Sequence, residues 1–262
     1  MSAVAGFDCT FLELDVIGDA LQLDVRPFPF EFPYHGDLIE DRIRLTQAAE
    51  RTLAAKGLIA ENRLVPELEE TLGLFARGPL SIAMLGTIDG VGCCARAVTD
   101  HRMAVLATQH DQRIRFDPIT PPSIVRSILN LLPPARPGPG SSVTITVDLP
   151  QPPHRPSRDE DLSGRNYLQP ARTQRDSAGV QRGMVDEIMR RPRLGSGYFA
   201  VTMRGRNARE SEPLTMNWLD TDSGRYVAIP TTGSDGRTHI TYAPADLARL
   251  EQSLSHLVRT LT

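Results

Sequence analysis

The adjacent cysteines Cys93 and Cys94 are the side chains best suited to covalent chemistry in this sequence. A cysteine nucleophile acts as a thiolate and usually needs a histidine close to it in the fold. Neighbouring residues on a strand point to opposite faces, so only one of the two thiols could face a given site. A free cysteine is more often a small buried apolar residue. An enzyme of unknown reaction that uses Cys93 or Cys94 is therefore one hypothesis, but not the favoured one.

Motifs for metal ions and phosphate groups are incomplete. Asp220 to Gly224 begins like a calcium loop but lacks the later ligands and the bidentate glutamate, so a hairpin turn is the better interpretation. Gly90-Val91-Gly92 lacks the following helix and the later glycine of a dinucleotide site. No two histidines lie four residues apart, as metal ligands on a helix would. The sequence predicts no metal, no cofactor and no assembled catalytic site, and it favours a binding protein. The histidines are His35, His101, His110, His154, His239 and His256.

Composition narrows the class of protein further. The 262 residues carry a formal net charge of −3, from 29 basic and 32 acidic side chains, which is not the basic footprint of a nucleic-acid-binding protein. No apolar run approaches the length of about 20 residues that crosses a membrane. Three cysteines are too few for a disulfide framework, so we expect a cytoplasmic protein. Lys56 is the only lysine, a bias typical of GC-rich genomes such as those of actinobacteria.

The N-terminal half, residues 1–149, combines helices with an antiparallel meander. Asp37 is the expected cap of a long helix that stops at Gly57, and Pro66 opens the next helix. Asp89-Gly90 predicts a tight hairpin between two strands. The remaining elements expected here are helices over 16–23 and 122–132, and strands over 80–88, 92–99, 102–110, 112–117 and 143–147.

The C-terminal half, residues 178–262, repeats the order of helix, meander and helix. Residues 150–177 are rich in proline and charge, so we expect a flexible linker there within one fused globular domain. The last helix is expected to start with Pro244 in its first turn, and its leucines form a seam. Repetition of this order predicts an α+β fold with an internal pseudo-repeat. The other elements expected are a helix over 178–191 and strands over 197–204, 213–220, 224–230 and 237–242.

Two places are candidates for a partner-binding surface. Ile88 and Val91 flank the predicted tight turn, where apolar side chains are hard to bury within their own domain. Met216 and Trp218 alternate on one face of a strand and are residue types enriched at interfaces, although core packing is the somewhat more common role for Trp218 taken alone. A third hypothesis is a structural protein that self-associates through the leucine seam of 244–261.

Four segments together resemble the EspG family, cytoplasmic chaperones of ESX (type VII) secretion. The N-terminal segments are TLAAKGLIAENRLVPELEETLGLFARGPL and SIVRSILNLLPPARPGPGSSVTI, and the C-terminal ones are LTMNWLDTDSGRYVAIP and ITYAPADLARLEQSLSHLVRTL. Their order and spacing, over most of 10–147 and 180–261, carry the resemblance, because each segment alone is degenerate.

The resemblance implies a fold and a partner. The implied fold is a central, mostly antiparallel sheet with two helical subdomains in a quasi-two-fold arrangement. The implied partner is a PE–PPE heterodimer, held through the apolar tip of the PPE helical hairpin by a monomer or weak dimer without a cofactor. The implied contacts are the sheet, a helix in 180–191 or 244–261, and a loop. That loop corresponds to Thr87, Ile88, Asp89, Gly90, Val91 and Gly92.

Overall fold

Both halves of the chain contribute to one antiparallel sheet. The computed structural model describes residues 6–147, 173–205, 209–233 and 236–262. Within these residues ten strands form one sheet in the order β1-β7-β6-β5-β4-β9-β10-β11-β12-β8. The strands are β1 Phe7–Thr10, β2 Ile59–Ala60, β3 Arg63–Leu64, β4 Leu80–Ile88, β5 Val91–Thr99, β6 Ala104–His110, β7 Arg113–Ile119, β8 Val143–Val147, β9 Arg193–Met203, β10 Leu214–Thr221, β11 Gly224–Thr232 and β12 Thr238–Pro244. Strands β2 and β3 form a separate small hairpin.

Helices pack on both faces of this sheet. They are α1 Phe11–Leu21, α2 Ile39–Ala55, α3 Pro66–Arg77, α4 Ile124–Leu129, α5 Thr173–Arg190 and α6 Leu247–Leu261, and a single 3-10 turn at Pro121–Ser123 precedes α4. Every strand pairing in the large sheet is antiparallel. The α+β class and the mostly antiparallel sheet are therefore confirmed.

Helix starts were the least accurate part of the sequence prediction. The first helix begins at Phe11, where Thr10 and Glu13 form a capping box, and not at residue 16. Asp37 was wrong as a cap, because α2 starts at Ile39 and its N-cap Leu38 makes no side-chain hydrogen bond. Pro244 was wrong as a helix start, since it pairs with Tyr226 as the last residue of β12. The predicted helix 122–132 consists of the 3-10 turn and the short α4.

Other local predictions are confirmed. Gly57 ends the second helix region with a left-handed φ of 72°, and Pro66 is the first residue of α3. The meander strands lie within two residues of their expected bounds, except that β9 begins at Arg193, four residues before the expected start at 197. Residues 148–172 lie outside the described part, and with them most of the linker expected over 150–177. Helix α5 is described from Thr173, five residues before its expected start at 178.

The two faces of the sheet have separate cores. We call the inner face the one covered by α4 and α6, where Phe199, Met216 and Trp218 are buried. We call the other the outer face. In the first half its core includes Phe30, Phe75 and other buried side chains of α1, α3 and the proline-rich segment after α1. Among the described helices, α5 alone belongs to the C-terminal half on this side, and it packs against the edge strand β8.

The two halves share an order of elements. The meander β4 to β7 lies beside β1, and the meander β9 to β12 lies beside β8, with β4 and β9 paired at the centre. A helix precedes and another follows each meander. This order is the one expected of a quasi-two-fold arrangement. Equivalence of the two halves in three dimensions stays a prediction.

Candidate protein-interaction surface

The turn between β4 and β5 projects an apolar side chain into solvent. Ile88 pairs with Val91 across a two-residue turn, in which Asp89 has a φ of 50° and Gly90 a φ of 78°. Two successive positive φ angles define the tight hairpin turn that the sequence predicted. Val91 is 70% exposed, whereas Ile88 is half-buried and packs against the inner core. We call residues Thr87 to Gly92 the hairpin tip.

Strand β9 anchors the hairpin tip. The backbone N–H of Asp89 donates a 2.8 Å hydrogen bond to the carbonyl oxygen of Leu194, and Ile88 pairs with Gly195. The side chain of Leu194 is 51% exposed. Leu194 therefore adds a second apolar side chain beside the tip, in a position fixed by main-chain bonds.

A lateral row of side chains crosses the outer face near this tip. Strand registers place one residue from each of five neighbouring strands in line, and we call them the outer row: Leu85, Tyr198, Asn217, Ala228 and Tyr242. Members of one row point to the same face. Asn217 is exposed and the other four are half-buried, so the row offers a largely apolar surface with a polar amide at its centre. Burial raises the pKa of the Tyr242 phenol, which keeps it neutral.

A groove of about 310 Å³ lies over this row. Its lining includes Tyr198, Asn217 and Tyr242 from the sheet and Met189 from α5. Two more apolar side chains of α5, Val180 and Met184, are exposed to solvent. We call this cavity the outer groove. Its shape and lining are those of a site for an apolar ligand or peptide side chain.

Phe28 borders the same row from the proline-rich segment. Its ring stacks on Tyr198 with 6.3 Å between centroids and is 47% exposed. The buried guanidinium of Arg96 holds this segment by donating a 2.7 Å hydrogen bond to the carbonyl oxygen of Phe28. Burial lowers the pKa of Arg96 to about 10, an effect that nearby Glu210 opposes, so Arg96 stays charged at neutral pH. A buried cation thus fixes the backbone beside the outer row.

Met216 and Trp218 do not belong to an exposed surface. Their side chains are 0% and 1% exposed and lie in the inner core with Phe199. The apolar alternation of β10 points these residues inward, where α4 and α6 cover the sheet, and leaves Asn217 on the outer face. The core interpretation therefore holds for Trp218, and we remove both residues from the candidate surface.

The cysteines lack the environment of nucleophiles. Cys93 packs against the inner core and Cys94 against the outer one, so the two thiols face opposite sides as expected. Burial raises the pKa of Cys93 and, with the nearby charge of Glu31, raises that of Cys94 to about 12. Both are therefore thiols at neutral pH. These environments disfavour the hypothesis of a thiolate-dependent enzyme.

The leucine seam of the last helix is not free for self-association. Leu250 and Leu254 are fully buried in the inner core, and Leu247, Leu257 and Leu261 pack against it. The heptad-like spacing thus reflects packing on the chain's own sheet. This corrects the hypothesis that the seam of 244–261 joins two copies.

The calcium-like run is a hairpin turn, as expected. Asp220 accepts hydrogen bonds of 2.5 and 2.7 Å from Arg225, and the Thr221 hydroxyl donates to the carbonyl oxygen of Gly224. Among the described residues, no group of three or more His, Cys, Asp or Glu could hold a metal ion. The described helices include none long and apolar enough to cross a membrane.

The sequence predicted the hairpin tip as a candidate surface, but that prediction did not include the outer row, the outer groove or Phe28. The missed residues Leu85, Tyr198 and Tyr242 alternate with core residues on their strands. That alternation could have indicated that the three side chains lie on the face of the sheet opposite the inner core. Only the fold determines which part of that face the helices leave uncovered. Phe30 and Phe32 of the same proline-rich segment are buried, whereas Phe28 is not.

Comparison with known proteins agrees with this architecture. The model of the EspG family matches residues 10–256. No curated protein sequence matches the chain. Among solved structures, the Mycobacterium tuberculosis type VII secretion system chaperone EspG5, in complex with a PE25–PPE41 dimer, superposes with a TM-score of 0.68 at 11% sequence identity, over 98% of this chain and 97% of that one. Because the family model spans nearly all of the chain, this protein belongs to the EspG family.

Proposed function

We propose that this protein is a client-specific secretion chaperone. It binds the apolar tip of a PPE-type helical hairpin and keeps a PE–PPE heterodimer soluble in the cytoplasm until type VII secretion. It makes and breaks no covalent bond and needs no cofactor. The contact surface combines the hairpin tip with the outer row and the outer groove.

The observation that carries this proposal is the clustering of exposed apolar side chains at the hairpin tip and along the neighbouring sheet. Val91 and Leu194 are exposed at the tip, and Phe28 and Tyr198 stack beside the groove. Exposed apolar side chains of this kind are typical of protein-interaction sites. The EspG5 structure that shares this fold contains a bound PE25–PPE41 dimer, which supports a client of the same class.

The proposed binding energy comes from desolvating apolar side chains on both partners. Burial of apolar surface contributes about 25 cal/mol per Å², and a few central residues contribute most of it. Asp89 and Asn217 lie among these apolar residues and would fix the register of the client through hydrogen bonds. Of the two helical regions that the resemblance implied, α5 has exposed Val180 and Met184, whereas the seam of α6 is buried. We therefore assign the helical contribution to α5.

Co-expression with a PE–PPE pair from the same organism tests the proposal. We expect the pair to be insoluble alone, and to become soluble and co-purify in stoichiometric amount with this chain. A pair that stays insoluble, or that becomes soluble without binding the chain, would contradict the proposed function. The pair with its PPE hairpin tip deleted is the matched control and should not co-purify.

A further inference from the structure

A second cavity lies at the opposite end of the sheet from the hairpin tip. It has a volume of about 620 Å³ and is bordered by the β5–β6 turn, the start of α4 and the end of α6. Its apolar walls include Leu80, Ile124, Val125 and Val258. We call this cavity the basal pocket. It belongs to neither the outer row nor the outer groove.

Two arginines are the charged side chains at the rim of the basal pocket. His101, Arg102 and Arg259 line it, and no carboxylate side chain does so among the described residues. Within that part of the chain, neither arginine forms a salt bridge within 4.0 Å. Asp100 and Arg102 both border the neighbouring cavity, and the backbone hydrogen bond from Met103 and the charge of Arg102 are among the causes that lower the pKa of Asp100. Because neither guanidinium group has a carboxylate of the described chain within 4.0 Å, both can still donate hydrogen bonds to the carboxylates of a ligand.

The turn that presents two of these side chains is fixed by its own hydrogen bonds. The Asp100 carboxylate accepts the backbone N–H groups of Arg102 and Met103 at 2.9 and 2.8 Å. The Thr99 hydroxyl donates to the carbonyl oxygen of Met103 at 2.7 Å. These bonds hold His101 at a φ of 71°, a conformation that side chains other than glycine rarely adopt. Such strain, held in place by neighbouring bonds, is found preferentially at functional sites.

We propose that the basal pocket binds an acidic peptide segment of a separate protein. Carboxylates of the peptide pair with Arg102 and Arg259, and a flanking apolar side chain enters the cavity between Leu80 and Val258. Arginine forms bidentate bonds with carboxylates, and the apolar walls supply the remaining affinity. Charge complementarity thus selects the partner.

The basal pocket can be occupied while a client is bound. Strand β4 runs from Leu80 at the pocket to Ile88 at the hairpin tip. Eight residue steps at about 3.3 Å each separate the two sites by about 26 Å. An acidic segment could therefore dock on the chaperone without competing with the client.

Binding of short labelled peptides to the purified chain tests this site. In the first peptide glutamate alternates with leucine, in the second lysine replaces glutamate, and in the third serine replaces leucine. We expect the glutamate–leucine peptide to bind at least about tenfold more tightly than either control, and its affinity to fall with added salt. Equal affinity for the lysine peptide, or for the serine peptide, would overturn the proposal.

Substitutions of arginines test whether the peptide binds in the basal pocket. The double change Arg102→Gln and Arg259→Gln should lower the affinity for the glutamate–leucine peptide about tenfold or more. Arg249→Gln, at the other end of α6 and exposed, removes one charge from the same helix and should leave the affinity unchanged. If the double variant binds as the unmodified chain does, the basal pocket is not the site.

His101→Gly separates binding from folding. Glycine adopts the φ of 71° without strain, so the variant should be at least as stable as the unmodified chain. Loss of the imidazole should still lower the affinity for the glutamate–leucine peptide. A variant with unchanged melting temperature and unchanged affinity would show that the strained histidine has no part in the site.

Discussion

At the scale of single residues, two glycines determine how Trp218 packs in the inner core. Gly86 and Gly197 pair across β4 and β9, and a Cβ atom at Gly197 would lie 2.2 Å from the indole ring and 2.4 Å from the carbonyl oxygen of Leu85. The ring therefore lies against bare backbone. This packing keeps Trp218 in the core, which is the alternative that the sequence analysis left open for this residue.

Gly197→Ala should destabilise the protein. Neither the carbonyl oxygen nor the buried ring can move without disturbing the central strand pair, so we expect a loss of at least about 2 kcal/mol in the free energy of unfolding. Denaturant melts measure it. Gly73→Ala on α3 is the control, since a Cβ there meets nothing within 4 Å and should stabilise the helix by about 0.5 to 1 kcal/mol. Equal stability of the two variants would contradict this packing.

Asp15 connects three segments of the N-terminal half. Its carboxylate is buried and accepts hydrogen bonds from Arg26, from the backbone N–H of His35 at 2.9 Å and from Arg42 at 2.5 Å. Burial alone would raise the pKa of Asp15, but the bonds from Arg26, His35 and Arg42 outweigh it and lower the pKa. Charged Asp15 thus ties α1 to α2 and to the proline-rich segment.

The free energy of unfolding should therefore change with pH in the acid range, because the Asp15 carboxylate becomes protonated there. A carboxyl group with a lowered folded-state pKa stabilises the fold above its unfolded pKa of about 3.9, and this stability is lost as the pH falls through the folded value. Asp15→Asn should cost about 3 kcal/mol near pH 7, and the difference from the unmodified chain should shrink below about pH 4. Unfolding curves over this pH range measure it, with exposed Asp37→Asn as control. A difference that does not change with pH would contradict the role of Asp15.

At the scale of elements, two aspartates that precede helices differ in whether they cap them. Asp246 caps α6 by accepting the backbone N–H of Arg249 at 2.8 Å, whereas Asp37 precedes α2 without a capping bond. Asp246→Ala should therefore cost about 1 kcal/mol in unfolding free energy, and Asp37→Ala should cost almost nothing. Thermal melts of the two variants compare them directly. A larger loss for Asp37→Ala would support the original prediction against the structure.

Elements defined by local chemistry could be predicted from the sequence, and elements defined by distant contacts could not. Asp89-Gly90 determines its turn because both residues adopt positive φ angles. The prediction that Pro244 starts a helix was wrong, because its place in β12 depends on pairing with Tyr226, and no local sequence signal encodes that pairing. Alternation along β10 indicated correctly that Met216 and Trp218 share a face. It could not indicate that helices cover that face.

At the scale of the whole molecule, the order of the strands lay beyond sequence reasoning. Pairing of β4 with β9 joins residues more than 100 positions apart, and β1 and β8 each add to the far edge of a meander. Such long-range pairings form because they bury whole faces of the sheet, and no local sequence signal encodes them. They also create the candidate surface, because helices cover the outer face only in the first half of the described chain, except for α5 at β8.

The central claim is that an apolar client contacts the hairpin tip. Affinity of the purified chain for a PE–PPE heterodimer, compared between Val91→Asp and Ile39→Asp, tests it most directly. Both side chains are exposed, Val91 by 70% and Ile39 by 81%, so both variants should melt as the unmodified chain does. A charge at the centre of an apolar contact typically costs at least about 2 kcal/mol, or about thirtyfold in affinity. We predict that loss for Val91→Asp, and for Asp89→Arg at the same turn, with no loss for Ile39→Asp. Full affinity of Val91→Asp would contradict the account.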